Sequence, residues 1–271
     1  MPTVEHFAPG DFCWIELATT NQTAAKSFYN VLFGWTAQDV PIGPDQVYSL
    51  LELQGRIAAG AFTISASENA GGVPPHWHLY INVASANEAA KKAGELGGKV
   101  VEAPFDVGDR GRAALLQDPT GAFFSVWEGK KRIGLGVTGE PGAFCWAELI
   151  TPDQARAITF YEDLFGWKLK PGEGKESGYL HILNGENYIG GVTPAHLNNA
   201  DAPTHWLIYF AAADVDATFG RAKEMNARIL LRPTDFEGVG RVAMLADPQG
   251  AVFALFTSVG QASSPVPDVP A

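Results

Sequence analysis

The chain of 271 residues is 46% hydrophobic and carries 19 basic against 30 acidic side chains, a formal net charge of −11. That field repels phosphate backbones and anionic bilayers, and no run has the length and apolarity of a membrane span, so neither nucleic acid nor membrane is expected as a partner. Two cysteines, Cys13 and Cys145, are too few for a disulfide framework and fit a reducing compartment, and the start, Met1–His6, lacks the regions of a secretory signal, so the expected location is cytoplasmic.

A chain of this length is expected to hold two cores of ordinary size. In chain order, Phe12-Cys13-Trp14-Ile15-Glu16-Leu17 reads as a short strand. Thr19-Thr20-Asn21-Gln22 then reads as a capping box, with Thr taking an orphan N–H and Gln reaching back. The helix it opens carries Ala25, Phe28, Tyr29 and Leu32 as one apolar stripe and stops at Gly34. Strands are expected around Tyr48–Leu53, Arg56–Ile64 and Trp77–Val83. A second helix opens at the capping box Ser85-Ala86-Asn87-Glu88, and Asp118-Pro119-Thr120-Gly121 suits a type I turn between two strands.

The same signals then return. Phe144-Cys145-Trp146-Ala147-Glu148-Leu149 and Phe160-Tyr161-Glu162-Asp163-Leu164-Phe165-Gly166-Trp167 repeat the opening strand and helix at an offset of 132. Thr204-His205-Trp206 and Asp247-Pro248-Gln249-Gly250 repeat Pro75-His76-Trp77 and the turn at an offset of 129. Thr151-Pro152-Asp153-Gln154 is the second capping box, with Pro152 expected at the first helical position, and Asp214 opens the last helix. Self-similarity of this kind marks a duplicated module. The expected division is module 1 over 8–128, a Gly- and Lys/Arg-rich linker over 129–142, module 2 over 143–257, and a Pro- and Ser-rich disordered tail over 258–271.

A capped helix ending in Phe-Tyr-x-x-Leu-Phe-Gly-Trp, followed late by Asp-Pro-x-Gly between two strands, resembles the vicinal oxygen chelate superfamily of glyoxalases, bleomycin-resistance proteins and extradiol dioxygenases. With the Phe-Cys-Trp-x-Glu-Leu openings, the chain is similar to tandem glyoxalase-like members among mycobacterial antigens and anthracycline-pathway accessory proteins. The resemblance implies an α+β fold of two tandem modules built from βαβββ units, each curling a U-shaped mixed sheet around a cavity. It also implies lyase, isomerase or oxygenase chemistry if the chain is an enzyme. Family metal-ligand positions map onto Trp14, about Gly60, His78 and Ser125 in the first copy, and onto Trp146, about Gly191, Leu207 and Ala254 in the second. One imidazole remains, whereas a catalytic zinc or iron takes about three protein ligands, so a metal-free protein is expected, with a divalent metal as the alternative.

Alternation along a strand puts Trp14 and Glu16 on one face if the cavity lies there, and likewise Trp146 and Glu148. His78, Tyr80 and Asn82 share such a face, as do Phe123, Ser125 and Trp127, with Val252, Ala254 and Phe256 in the second copy. Glu16, His78 and Glu148 are therefore the candidate catalytic groups, for proton transfer. Trp14, Tyr80, Phe123, Ser125, Trp127, Trp146 and Tyr209 are the candidate substrate-binding groups. Core packing accounts for the tryptophans as well as ligand stacking does, a solvated rim for the glutamates, and a structural role for His78. Arg112 and Arg241, in matching Gly-Arg pairs, suit either a substrate carboxylate or a solvated loop. His76 and His205 read as structural groups at a strand start, and Cys13 and Cys145 as small buried hydrophobes. The expected function is binding, and possible transformation, of a small aromatic or carbonyl metabolite by a monomer or homodimer. Drug sequestration and metal-dependent glyoxalase or dioxygenase chemistry are the alternatives.

Overall fold

The computed structural model describes residues 4–44, 46–172, 178–193 and 203–258; the expected tail beyond Ser258 lies outside them. The first copy runs β1 (Phe12–Thr19), α1 (Gln22–Phe33), β2 (Thr36–Gly43), β3 (Gln46–Leu53), β4 (Arg56–Thr63), a short α2 (Ala66–Ala70), β5 (His76–Asn82), α3 (Ala86–Glu95), β6 (Lys99–Val107), β7 (Gly111–Gln117) and β8 (Phe123–Gly129). The second runs β9 (Phe144–Ile150), α4 (Gln154–Phe165), β10 (Lys168–Pro171), β11 (Leu180–Asn184), β12 (Asn187–Thr193), β13 (His205–Ala211), α5 (Val215–Glu224), β14 (Arg228–Phe236), β15 (Gly240–Ala246) and β16 (Val252–Ser258).

Each copy folds into its own eight-stranded mixed sheet, in the orders β2-β3-β4-β1-β5-β8-β7-β6 and β10-β11-β12-β9-β13-β16-β15-β14. A copy is thus two βαβββ units joined at the middle, where β1 meets β5 antiparallel and each lies parallel to the last strand of its own unit. Sequence reading misses the edge strands β2 and β6 and their counterparts β10 and β14. Their side chains are mostly exposed, Pro41 and Pro104 interrupt two of them, and one-sided burial is what makes a strand legible.

The first helix of each copy begins two residues later than the capping boxes suggest. Asn21 and Asp153 are the N-caps, accepting from the Ala24 and Arg156 amides at 3.0 and 3.1 Å. Thr19 and Thr151 instead accept from the Asn21 and Asp153 amides, and Pro152 precedes the cap rather than occupying the first helical position. Gln22 reaches sideways, donating to Ser49 Oγ and the Ala61 carbonyl, which ties α1 to β3 and β4. Gly34 and Gly166 end these helices in the left-handed region, as expected.

The helices fill the seam between copies, α1 against α5 and α3 against α4. Tyr29 donates to Asp247 and Tyr161 to Asp118, while Trp35 and Trp167 donate to the Gly142 and Gly10 carbonyls. The stretch after β8 lies on the first sheet: the Leu135 amide donates to the Cys13 carbonyl and the Gly136 amide to that of Ile57, with Leu135 and Val137 buried. Among the described residues no helix is long and apolar enough to cross a membrane.

Candidate functional site

Strand register assembles the centre of each sheet. In the first copy Glu16 lies opposite Gly60 on one side and His78 on the other, and Tyr80 lies beside Ser125. In the second, Glu148 lies between Gly191 and Leu207, and Tyr209 beside Ala254. Alternation puts Cys13, Ile15 and Leu17 on one face of β1 and Trp14 and Glu16 on the other, and Trp14 is itself buried within the same hydrophobic cluster. Glu16 is nonetheless only 9% exposed and Ser125 4%, so that face is itself enclosed.

The carboxyl of Glu16 is held at both oxygens. Tyr80 donates to Oε1 at 2.5 Å, Tyr48 donates to Oε2 at 2.8 Å, and Trp14 Nε1 donates to the Tyr48 hydroxyl at 3.1 Å. The second copy repeats the arrangement: Tyr179 and Tyr209 donate to the two oxygens of Glu148 at 2.9 and 2.6 Å, Thr193 adds a third bond, and Trp146 Nε1 donates to Tyr179 at 3.0 Å. Gly60 and Gly191 make room for this, since a Cβ at either would overlap the Tyr48 or Tyr179 hydroxyl. Burial pushes both carboxyls above the usual range, and the tyrosine hydroxyls oppose that shift by stabilising the anion. A buried glutamate held in this way can exchange a proton with a bound ligand.

His78 Nε2 and Ser125 Oγ are hydrogen-bonded at 2.8 Å. Burial, reinforced by neighbouring His76, lowers the imidazole to about 3, so it is neutral and acts as a hydrogen-bonding group rather than a proton donor. Leu207 and Ala254 take these places in the second copy. With Tyr209 and Val242 they form an apolar cluster, against which Trp146 and Phe256 pack.

Of the residues singled out from sequence, the structure gathers Trp14, Glu16, Tyr80, His78 and Ser125 in one copy, and Trp146, Glu148 and Tyr209 in the other. Phe123, 48% exposed, stands apart at the start of β8. Trp127 is buried under the following loop, with its Nε1 donating to the Arg132 carbonyl. Arg112 pairs with Asp106 across its own hairpin, and Arg241 with Asp235 across its own hairpin and with Asp216 on α5. His76 and His205 bond the Pro74 and Pro203 carbonyls at the strand start. Burial raises the Cys13 thiol well above its ordinary range and the Cys145 thiol to about 12, which suits neither to nucleophilic work.

Three functional candidates escape the sequence reading. Tyr48 and Tyr179 occupy equivalent places in the two copies, a match that could have revealed them. Arg132, which falls in the expected linker, places its guanidinium 5.9 Å from the centre of the Trp14 ring.

The family's divalent metal does not fit these donors. Both oxygens of each glutamate already accept from tyrosines, His78 is bonded to Ser125, and among the described residues no three His, Cys, Asp or Glu side chains gather.

The sequence matches the model of the Glyoxalase/Bleomycin resistance protein/Dioxygenase superfamily over residues 6–126 and again over 144–255. It is 35% identical over 263 residues to CFP32 of Mycobacterium bovis, which carries a provisional glyoxylase name, covering 96% of this chain and all of that one. It is 33% identical to the anthracycline biosynthesis protein DnrV of Streptomyces peucetius, over 92% of this chain and 94% of that one. Among solved structures, the Mn(II)-bound glyoxalase of Novosphingobium aromaticivorans superposes with a TM-score of 0.64 at 15% identity, covering 92% of this chain and 82% of that one, a likeness of fold.

Proposed function

The chain belongs to the Glyoxalase/Bleomycin resistance protein/Dioxygenase superfamily, and from that membership we propose that its two sheets cradle a small aromatic or carbonyl metabolite and move a proton on it without a resident metal. The observation that carries this reading is the buried glutamate held by two tyrosine hydroxyls at the same place in both copies. Glu16 or Glu148 accepts a proton beside the ligand's carbonyl or phenol. The tyrosines steady the anion before transfer and the indole of Trp14 or Trp146 offers a flat apolar surface. His78 and Ser125 add hydrogen bonds in the first copy, where a polar ligand group would otherwise be buried unpaired.

Identifying any compound carried through purification by mass spectrometry, then following its conversion by wild type and by Glu16→Gln and Glu148→Gln, tests the reading. Conversion should fall roughly 10²–10⁴-fold in at least one variant while binding persists. A second reading, ligand sequestration without turnover, is favoured by the apolar lining of Leu207 and Ala254 in the second copy. Tight binding with no conversion by wild type would select it.

A further inference from the structure

We propose that Arg132 makes the first copy's candidate site selective for ligands bearing a carboxylate, a deepening that rests on the reading just given. The guanidinium stands over the Trp14 ring, and its Nε is buried with no hydrogen-bond partner. The neighbouring cations of the same loop are differently placed: Lys130 pairs with Asp106 at 3.2 Å and Lys131 with Asp109 at 2.6 Å. Among the described residues no carboxylate lies within ion-pair distance of Arg132. Its backbone is pinned on both sides, the amide donating to the Arg110 carbonyl at 3.1 Å and the carbonyl accepting from Trp127 at 2.9 Å.

The Nε of this partly buried guanidinium lacks a protein partner, and a planar anion met by the fork of N–H donors would supply one. The Trp14 indole beneath it is buried, so its emission reports on a ligand held at Arg132. Among the described residues no cation stands over Trp146 in the second copy, where Phe256 replaces Trp127. In a chain whose net charge is −11, a cation at this place selects against the general field.

The test is tryptophan-emission quenching of the full chain by 2-naphthoate and by its uncharged partner 2-naphthamide. The carboxylate should bind at least about tenfold more tightly, with one dominant site per chain by calorimetry. Arg132→Met, which retains the apolar stem over Trp14, should abolish the preference while leaving the carboxamide unchanged, and Arg132→Lys should restore part of it. Equal affinities in wild type, or a preference that survives Arg132→Met in a protein with unchanged circular dichroism, would overturn the proposal. Carboxamide binding that weakens in Trp14→Phe but shows no charge preference would overturn it while leaving the cavity reading intact. Binding of neither probe would count against both.

Discussion

Tyr29 of the first copy donates its hydroxyl to Asp247 of the second at 3.1 Å, and Tyr161 of the second returns the same bond to Asp118 of the first at 3.0 Å. In each aspartate the other oxygen collects the amides of its own turn, from Thr120, Gly121 and Ala122 or from Gln249, Gly250 and Ala251. Trp77 and Trp206 donate in turn to the two tyrosine hydroxyls. The Phe-Tyr and Asp-Pro-x-Gly motifs thus meet across the seam, each copy's helix closing the other copy's turn.

Tyr29→Phe and Tyr161→Phe should each lower stability by about 1.5–3 kcal/mol, because a buried carboxylate oxygen loses a donor. Urea unfolding followed by far-ultraviolet circular dichroism measures this. An unchanged midpoint would show that water replaces the phenol without cost.

The buried glutamates predict a definite pH dependence. Burial raises Glu16 and Glu148 in the folded state, so the folded chain keeps those protons to higher pH than the unfolded chain does. The resulting stability is fully present below the unfolded value near 4.3 and is lost as pH rises through the folded values, with a slope of at most about 1.4 kcal/mol per pH unit per group. The double variant Glu16→Gln, Glu148→Gln should therefore lose less stability than wild type between pH 4.5 and neutrality. Parallel curves would mean that the tyrosines cancel the effect of burial.

His78, lowered to about 3, should show no imidazole titration in nitrogen-15 spectra between pH 5 and 8. A titration midpoint near 6.5, the ordinary value, would mean that water reaches the ring.

Trp14→Ala should weaken a planar aromatic ligand by about 1–3 kcal/mol through lost stacking and apolar contact, read as reduced quenching of emission. Unchanged affinity in a folded variant would move the site away from Glu16.

Elemental analysis of protein purified without a histidine tag should find well under one equivalent of zinc, nickel, iron or manganese, given the donors at hand. Near-stoichiometric metal that survives dialysis and is required for turnover would overturn the metal-free proposal.

The duplication, the apolar stripes of α1 and α4, their glycine stops and the central strands were legible in the residues themselves. Periodic burial and tight turns leave local patterns, and a second copy 129–132 positions away repeats them. Edge strands such as β2 left no such pattern, because neither of their faces is consistently buried. Alternation also put Glu16 and His78 on their faces, but which groups they meet depends on register between strands far apart in sequence. Tyr48 reaches Glu16 across 32 residues and Tyr80 across 64, both converging on one carboxyl. The same holds for Arg132, which sequence spacing assigns to a linker and which only the return of that loop over β1 brings to Trp14. Local chemistry decides which segments form and which face they bury, whereas long-range pairing decides which polar groups share an enclosed space and so what their protons and charges can do.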